Sequence, residues 1–215
     1  MIGDLRTAVI VPRALCGREN KIVSQATPMP ILPPVSHPSI LALGYSEAAM
    51  VLRSGQPNNI TAVIAIRGHG EHVVDCPGTV QKLVLEFDDV EVLASADPSR
   101  AYESWAREKW AKEIGRPQSP PSVADAAAII EFARRISSSR GTVLCHCQAG
   151  VSRSTAAALV CLATWTGPGH EQYCVEHLRS GRPCAMPHRG LVGFADELLG
   201  RGGRLVSALS IARRD

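Results

Sequence analysis

Cys147, Arg153 and Ser154 put a nucleophile, a fixed positive charge and a hydroxyl within eight residues. A cysteine attacks as its thiolate, so the field around it decides whether it can act. Arginine's planar fork holds two oxygens of a tetrahedral anion at once, and backbone amides can hold the rest. Ser154 offers a hydroxyl near the sulfur, placed to stabilise the thiolate as it leaves. A nucleophile, a charge clamp and an oxyanion cradle in one short stretch suit attack by sulfur on an anionic centre such as a phosphate.

Such groups need elements that aim them. Residues 142–145 (TVLC) are a short apolar run of the kind that forms a buried strand. Residues 154–165 (STAAALVCLATW) are Ala-rich, apolar nearly all round and free of Gly and Pro, which fits a helix in the centre of a domain. Between them the chain must turn sharply, and Gly150 supplies the permissive backbone. A loop entering a helix N-terminus gathers several N–H groups in one small volume, and the helix dipole adds to their pull on anions. Cys147 sits at the mouth of that site, where the same field is expected to favour the thiolate.

The stretch His146-Cys147-Gln148-Ala149-Gly150-Val151-Ser152-Arg153-Ser154 resembles the signature H-C-x-x-G-x-x-R-S/T of the cysteine-dependent protein tyrosine phosphatases. Its Ala-Gly-x-Ser-Arg-Ser form is most similar to the dual-specificity branch. The resemblance covers roughly residues 39–200, strongly at the loop and weakly elsewhere. It implies that Cys147 attacks phosphorus and that Arg153 clamps the phosphate. Gln148, Ala149, Gly150, Val151 and Ser152 would form the phosphate-binding loop, with His146 and Ser154 flanking it. A phosphomonoester would be cleaved through a cysteinyl-phosphate intermediate, with no metal or cofactor, since the cradle supplies the positive charge. The substrate would be a phosphoprotein, as for a protein-tyrosine or dual-specificity phosphatase, or a small phosphomonoester. The four variable loop positions Gln148, Ala149, Val151 and Ser152 carry no Lys or Arg. Related lipid phosphatases place lysines there, so singly phosphorylated substrates are expected.

The leaving oxygen of a phosphoester needs a proton. Residues 82–87 read as a strand leading to Asp88-Asp89-Val90. In a parallel sheet the loops after the strands meet on one side, where ligands bind. In the family the acid follows a strand ending apolar-x-apolar-x-Asp. Leu85-Glu86-Phe87-Asp88-Asp89 matches with Asp89 at the acid position; Asp88 is the alternative and Asp97 a weaker one.

The rest of the chain is consistent with one α/β domain: a central, mostly parallel sheet of four to five strands with helices on both faces. Its 215 residues are 45% hydrophobic and 20% charged, with a net charge of +3, which gives no argument for a nucleic-acid or membrane partner. Seven cysteines without paired spacing argue for a reduced, cytoplasmic protein. Residues 1–35 are Pro-rich and read as an extended linker, with residues 7–11 suiting a strand or, by preference, a disordered leader. The catalytic domain is placed at residues 36–215. It opens with a strand at 39–44, a helix capped by Ser46 with Ala49, Met50 and Leu52 facing the core, and a buried strand at 60–66.

Arg67, His69 and His72 follow that strand in a Gly-containing loop suited to anions, though a solvated turn is the plainer reading and a metal site is disfavoured. A helical insertion is expected at about 97–117, where Tyr102, Ala106, Trp110 and Ile114 line one face. Ser122 and Asp125 form a capping pair for a helix whose Val123, Ala127, Ile130, Ala133 and Ile136 can face the sheet. Helices are also read over 170–179 and 187–199, the latter with Pro187 in its first turn, and the C-terminus reads as a basic solvated tail. Where the family has Pro-Asn before its last helix, this chain has Pro187-His188. Two other readings share the loop: a phosphate-binding pseudophosphatase, and a sulfurtransferase or arsenate reductase.

Overall fold

The computed structural model describes residues 37–54, 59–90, 113, 115 and 118–211. The sequence expectations for residues 1–35, for Asp97 and for the aromatic stripe of the insertion lie outside the described residues. The described elements run β1 (Ser39–Gly44), α1 (Tyr45–Ser54), β2 (Ile60–Arg67), β3 (Gln81–Glu86), α2 (Val123–Ile136), β4 (Thr142–Cys147), α3 (Arg153–Thr166), α4 (Glu171–Gly181), α5 (Arg189–Leu198) and α6 (Arg204–Ile211).

The four strands form one sheet in the order β1-β4-β2-β3, every pairing parallel. β4 is buried along its whole length, so both its faces carry apolar residues, as a central parallel strand requires. Side chains alternate between the faces. Ile40, Ala42, Ala62, Ile64, Ile66, Val143, Cys145 and Cys147 pack into one apolar cluster with α2 to α6. Leu41, Leu43, Val63, Ala65 and Leu144 point the other way, against Ala48 and Ala49 of α1 and Val74. α3 runs through the larger cluster, and every residue from 153 to 163 is buried. Trp165 Nε1 donates to Ala133 O of α2 at 2.9 Å, and Arg201 Nη2 donates to Ala163 O at 2.6 Å. The second contact places a cation at the C-terminal end of α3, where the helix dipole favours it.

Several sequence readings of the helices are corrected. α1 starts at Tyr45, so Ser46 lies inside it and is not its cap. The Glu47 side chain instead reaches back to Gly44 N at 2.7 Å. Met50 is 66% exposed, so the apolar face of α1 runs through Ala48 and Ala49 and excludes it. On α2 the Ser122–Asp125 capping box is present, but the buried set is Ala126, Ile129, Ile130, Phe132, Ala133 and Ile136, and Val123 is exposed. Pro187 precedes α5, whose N-cap is His188. The expected basic tail contains a helix, α6, which buries Leu205, Ala208 and Leu209. Asp196 starts it by accepting from Leu205 N at 2.7 Å and Val206 N at 3.3 Å. Arg201 is buried with it, not solvated.

Candidate active site

Because all four strands run the same way, the segments after their C-terminal ends converge on one edge of the sheet. They bring Glu47 after β1, Glu71 after β2, Asp88 and Asp89 after β3, and Cys147 at the end of β4. Gly44 stands in register beside Cys147.

The loop 148–152 is fixed by its carbonyls. Gln148 O accepts from Tyr45 N at 3.1 Å, Val151 O from Met186 N at 2.9 Å, and Gly150 O from Arg182 Nε at 3.0 Å. In a trans peptide the N–H of the next residue points opposite to the carbonyl. Anchoring these three carbonyls outward therefore turns the amides of Ala149, Val151 and Ser152 inward, as an anion cradle needs. Gly150 has φ +73°. A Cβ there would lie 2.3 Å from Gly44 N and 2.5 Å from Leu43 C, so neither backbone nor space admits a side chain. Arg182 is itself buried and paired, with Nη1 2.7 Å from Glu47 Oε1. The Glu47 carboxylate thus joins the β1 turn, Arg182 and the back of the loop.

Cys147 is 2% exposed, at the floor of this cradle. Gly150 N donates to its Sγ at 3.3 Å, and its thiol donates to Ser154 Oγ at 3.3 Å. In the thiolate that second bond reverses and Ser154 becomes the donor. Gln148 and Ala149 are exposed at the mouth, while Val151 and Ser152 are half-buried.

Arg153 is buried, and its counter-charge is a residue the sequence did not single out. Nη1 lies 2.9 Å from Glu71 Oε2 and Nη2 lies 3.2 Å from Oε1, a two-pronged ion pair; Nη1 also donates to Phe87 O at 3.2 Å. Burial works against the guanidinium charge, but the Glu71 hydrogen bonds and the nearby Cys147 outweigh it and raise its pKa. Burial likewise pushes Glu71 up, yet Arg153 and the Gly68 N–H at 2.6 Å win, and its pKa falls below the ordinary 4.5. Arg153 Nε is buried and meets no acceptor among the described residues. Glu71 and Phe87 O take three of the five guanidinium N–H groups, which leaves the Nε–H and the second Nη2–H, on one side of the fork, for the oxygens of a ligand.

Of the two adjacent carboxylates, Asp89 lies against the loop. Its Oδ1 accepts from Ser152 Oγ at 2.6 Å. Asp88 turns away: its Oδ2 accepts from Ser119 N at 2.9 Å, and its own N donates to Ser119 O at 2.7 Å. Of the loop cations weighed from the sequence, Arg67 ends β2 and pairs with Glu86 at 2.7 Å, and His69 lies 3.6 Å from the same carboxylate. The useful residue of that loop is Glu71. Its only sequence signal is a carboxylate in a loop at the end of a parallel strand, where a buried Arg needs a counter-charge. Among the described residues no group of three His, Cys, Asp or Glu side chains could hold a metal ion.

His146 faces the opposite side of β4 from Cys147, edge-on to Tyr45 at 6.5 Å between ring centres. Neither ring nitrogen has a hydrogen-bond partner among the described residues. Burial, with the charge of Lys82 second, lowers its pKa from 6.5 to about 4. The unfolded chain therefore binds a proton that the folded one refuses across that interval. This contribution to stability is intact above about pH 6.5 and is lost as pH falls towards 4. The whole effect is on the order of 3 kcal/mol. Denaturant titrations of the native chain and of His146→Gln at stepped pH should show a steeper acid loss in the native chain. Parallel pH profiles would refute the assignment.

No family model matches the chain, and no curated protein does. Among solved structures it is similar to human DUSP28, at 22% identity over 81% of this chain and 97% of that one, with a TM-score of 0.43. It is also similar to Tk-PTP in the active form, at 17% identity over 77% and 93%, with a TM-score of 0.48. The Yvh1 phosphatase domain from Chaetomium thermophilum matches at 19% over 77% and 93%, with a TM-score of 0.44. At these identities the likeness is one of fold.

Proposed function

We propose that the chain is a phosphomonoester hydrolase acting through a cysteinyl-phosphate intermediate, in the manner of a protein-tyrosine or dual-specificity phosphatase. The observation that carries this reading is the convergence on Cys147. Its sulfur takes Gly150 N–H and faces the Ser154 hydroxyl, beside a buried Arg153 whose Nε has no acceptor among the described residues.

The Cys147 thiolate attacks phosphorus, forming an S–P bond as the ester P–O bond breaks. Asp89, as the carboxylic acid, gives its proton to the departing oxygen. Arg153 and the inward amides hold the three equatorial oxygens as charge spreads over them. Water then attacks phosphorus, the Asp89 carboxylate takes a proton from it, and the S–P bond breaks to release inorganic phosphate and the thiolate. The Ser154 hydroxyl stabilises that leaving thiolate. With no Lys or Arg at Gln148, Ala149, Val151 and Ser152, singly phosphorylated proteins or small molecules are the proposed substrates. A cytoplasmic setting goes with the mechanism, since the nucleophile must be kept reduced, and the six described cysteines are free thiols.

Asp89→Asn tests the proton transfer. Turnover of phenyl or alkyl phosphates should fall about 10²–10⁴-fold. Activated aryl phosphates, whose oxygen leaves without a proton, should lose far less. Equal losses on both, or the same pattern in Asp88→Asn alone, would remove Asp89 from the role. A panel of phosphotyrosine, phosphoserine and phosphothreonine peptides and phosphoinositides tests the substrate class. A polyphosphoinositide hydrolysed faster than every phosphopeptide would refute it.

A further inference from the structure

His188 stands where three parts of the site meet. Its backbone N–H reaches Ser152 O of the phosphate loop at 3.4 Å. Its ring Nδ1 accepts from Leu191 N at 3.3 Å, capping α5. Its Nε2 lies 2.9 Å from Val90 O, the carbonyl next to Asp89. The ring is buried, with the whole residue 2% exposed. Because Nδ1 accepts a backbone N–H, the neutral ring must carry its proton on Nε2, which then donates to Val90 O.

A helix cap needs one acceptor only, and Ser, Thr, Asp or Asn supplies it more simply. The second ring nitrogen is what a cap does not explain. It is spent on a carbonyl 98 residues earlier in the chain, on the segment that carries Asp89. That segment is gripped from the other side as well, by Ser152 Oγ on Asp89 Oδ1 at 2.6 Å. The Ser152 bond ends on the carboxylate that has to gain and lose the proton. Its strength therefore changes through the catalytic cycle, because a charged acceptor makes the stronger bond. The bond to Val90 O ends on a backbone carbonyl, whose charge is the same at every step of the reaction, so it can hold the backbone while the carboxyl changes state.

We propose that His188 is a positioning residue for the acid: its Nε2–H docks the backbone at Val90 and so keeps Asp89 over the phosphate loop. This rests on the phosphatase reading for its kinetic consequence, but the docking itself does not depend on turnover.

Two substitutions separate docking from capping. His188→Ser keeps a cap acceptor and removes the long-reach donor; His188→Gln gives up the Nδ1 cap acceptor and keeps an amide N–H that reaches the Nε2 position. The Ser variant should lose about 10-fold or more in kcat on phenyl phosphate, with little change on p-nitrophenyl phosphate and with KM unchanged. The Gln variant should recover most of that loss. Hydrogen exchange of the amides at 87–90 should quicken in the Ser variant and stay near native in the Gln variant. In the native protein, ring ¹⁵N shifts should place the His188 proton on Nε2, a measurement that needs no variant to fold. Ser and Gln variants that behave alike in exchange, a loss independent of the leaving group, or a proton on Nδ1 would each overturn the proposal. A native protein inert towards every phosphomonoester would instead defeat the phosphatase reading, and the exchange and tautomer results would still decide the docking.

Discussion

Cys147→Ser should abolish hydrolysis of p-nitrophenyl phosphate while vanadate and phosphate still bind. The substitution replaces one sulfur with an oxygen at a position that is 2% exposed, and the cradle is built from other groups. Gly150 φ, the Arg182 and Met186 anchors on the loop carbonyls, and the Arg153–Glu71 pair do not pass through the sulfur. Anion affinity should therefore survive. Turnover should not, because a serine hydroxyl is far less acidic than a thiol, and Asp89 must hold a proton for the leaving oxygen in that step and so cannot serve as its base. The loss should be at least about 10⁴-fold, the scale seen when a nucleophile is removed. Calorimetry with vanadate and a single-turnover assay on one preparation decide it. Residual turnover near native would end the covalent mechanism, and loss of anion binding would mean that the sulfur shapes the cradle.

Arg153→Lys should be nearly as damaging, by about 10²–10³-fold in kcat, the range for losing an oriented donor to developing charge. A lysine ammonium can meet Glu71 or the phosphate, but it lacks the planar fork that here spans both Glu71 oxygens and leaves Nε without an acceptor among the described residues. Glu71→Gln keeps one oxygen acceptor and loses the charge. Since a hydrogen bond to a charged group contributes about 1.5–3 kcal/mol, a fall of roughly 10–100-fold is expected. The pair also sets an acid limit. Glu71 titrates below its ordinary 4.5 in the folded protein. Its contribution to stability is thus complete above the ordinary glutamate range and disappears as pH falls through the lower folded value. Glu71→Gln should remove that acid-sensitive component from the stability profile. A Gln variant with native kcat and a native acid profile would show that Arg153 is held by something other than this carboxylate.

The parts legible in the sequence were those whose cause is local. The apolar runs of β1, β2 and β4 declare buried strands, the Ser122–Asp125 spacing declares a cap, and Gly150 lies where the backbone must turn. The loop is contiguous, so its chemistry could be read from nine residues. What was not legible depends on residues far apart in the chain. Glu71 meets Arg153 across 82 residues, and Arg182 meets Glu47 across 135. Nothing near either member announces the partner. Met50 is an apolar residue off the packed face: Tyr45, Ala48, Ala49 and Leu52 share the side of α1 that meets the sheet, and Met50 points away from it. The helix α6 is masked in the sequence by the arginines at its start: Arg201, three residues ahead of it, reads as solvated but is buried on Ala163 O at the end of α3.

The two hydrogen bonds between Asp88 and Ser119 close a ring in the chain just beyond the catalytic edge. Ser119 lies just ahead of the capping box of α2, so the end of β3 and the start of α2 are pinned to each other directly. Ser152 and His188 hold the next two residues after Asp88. Three consecutive residues, 88 to 90, are thus each tied to a different well-packed part of the fold. The acid works like a key on a short, clamped shank: its reach is set by the elements around it, so a change that shifted α2 or α5 bodily would move the acid with it.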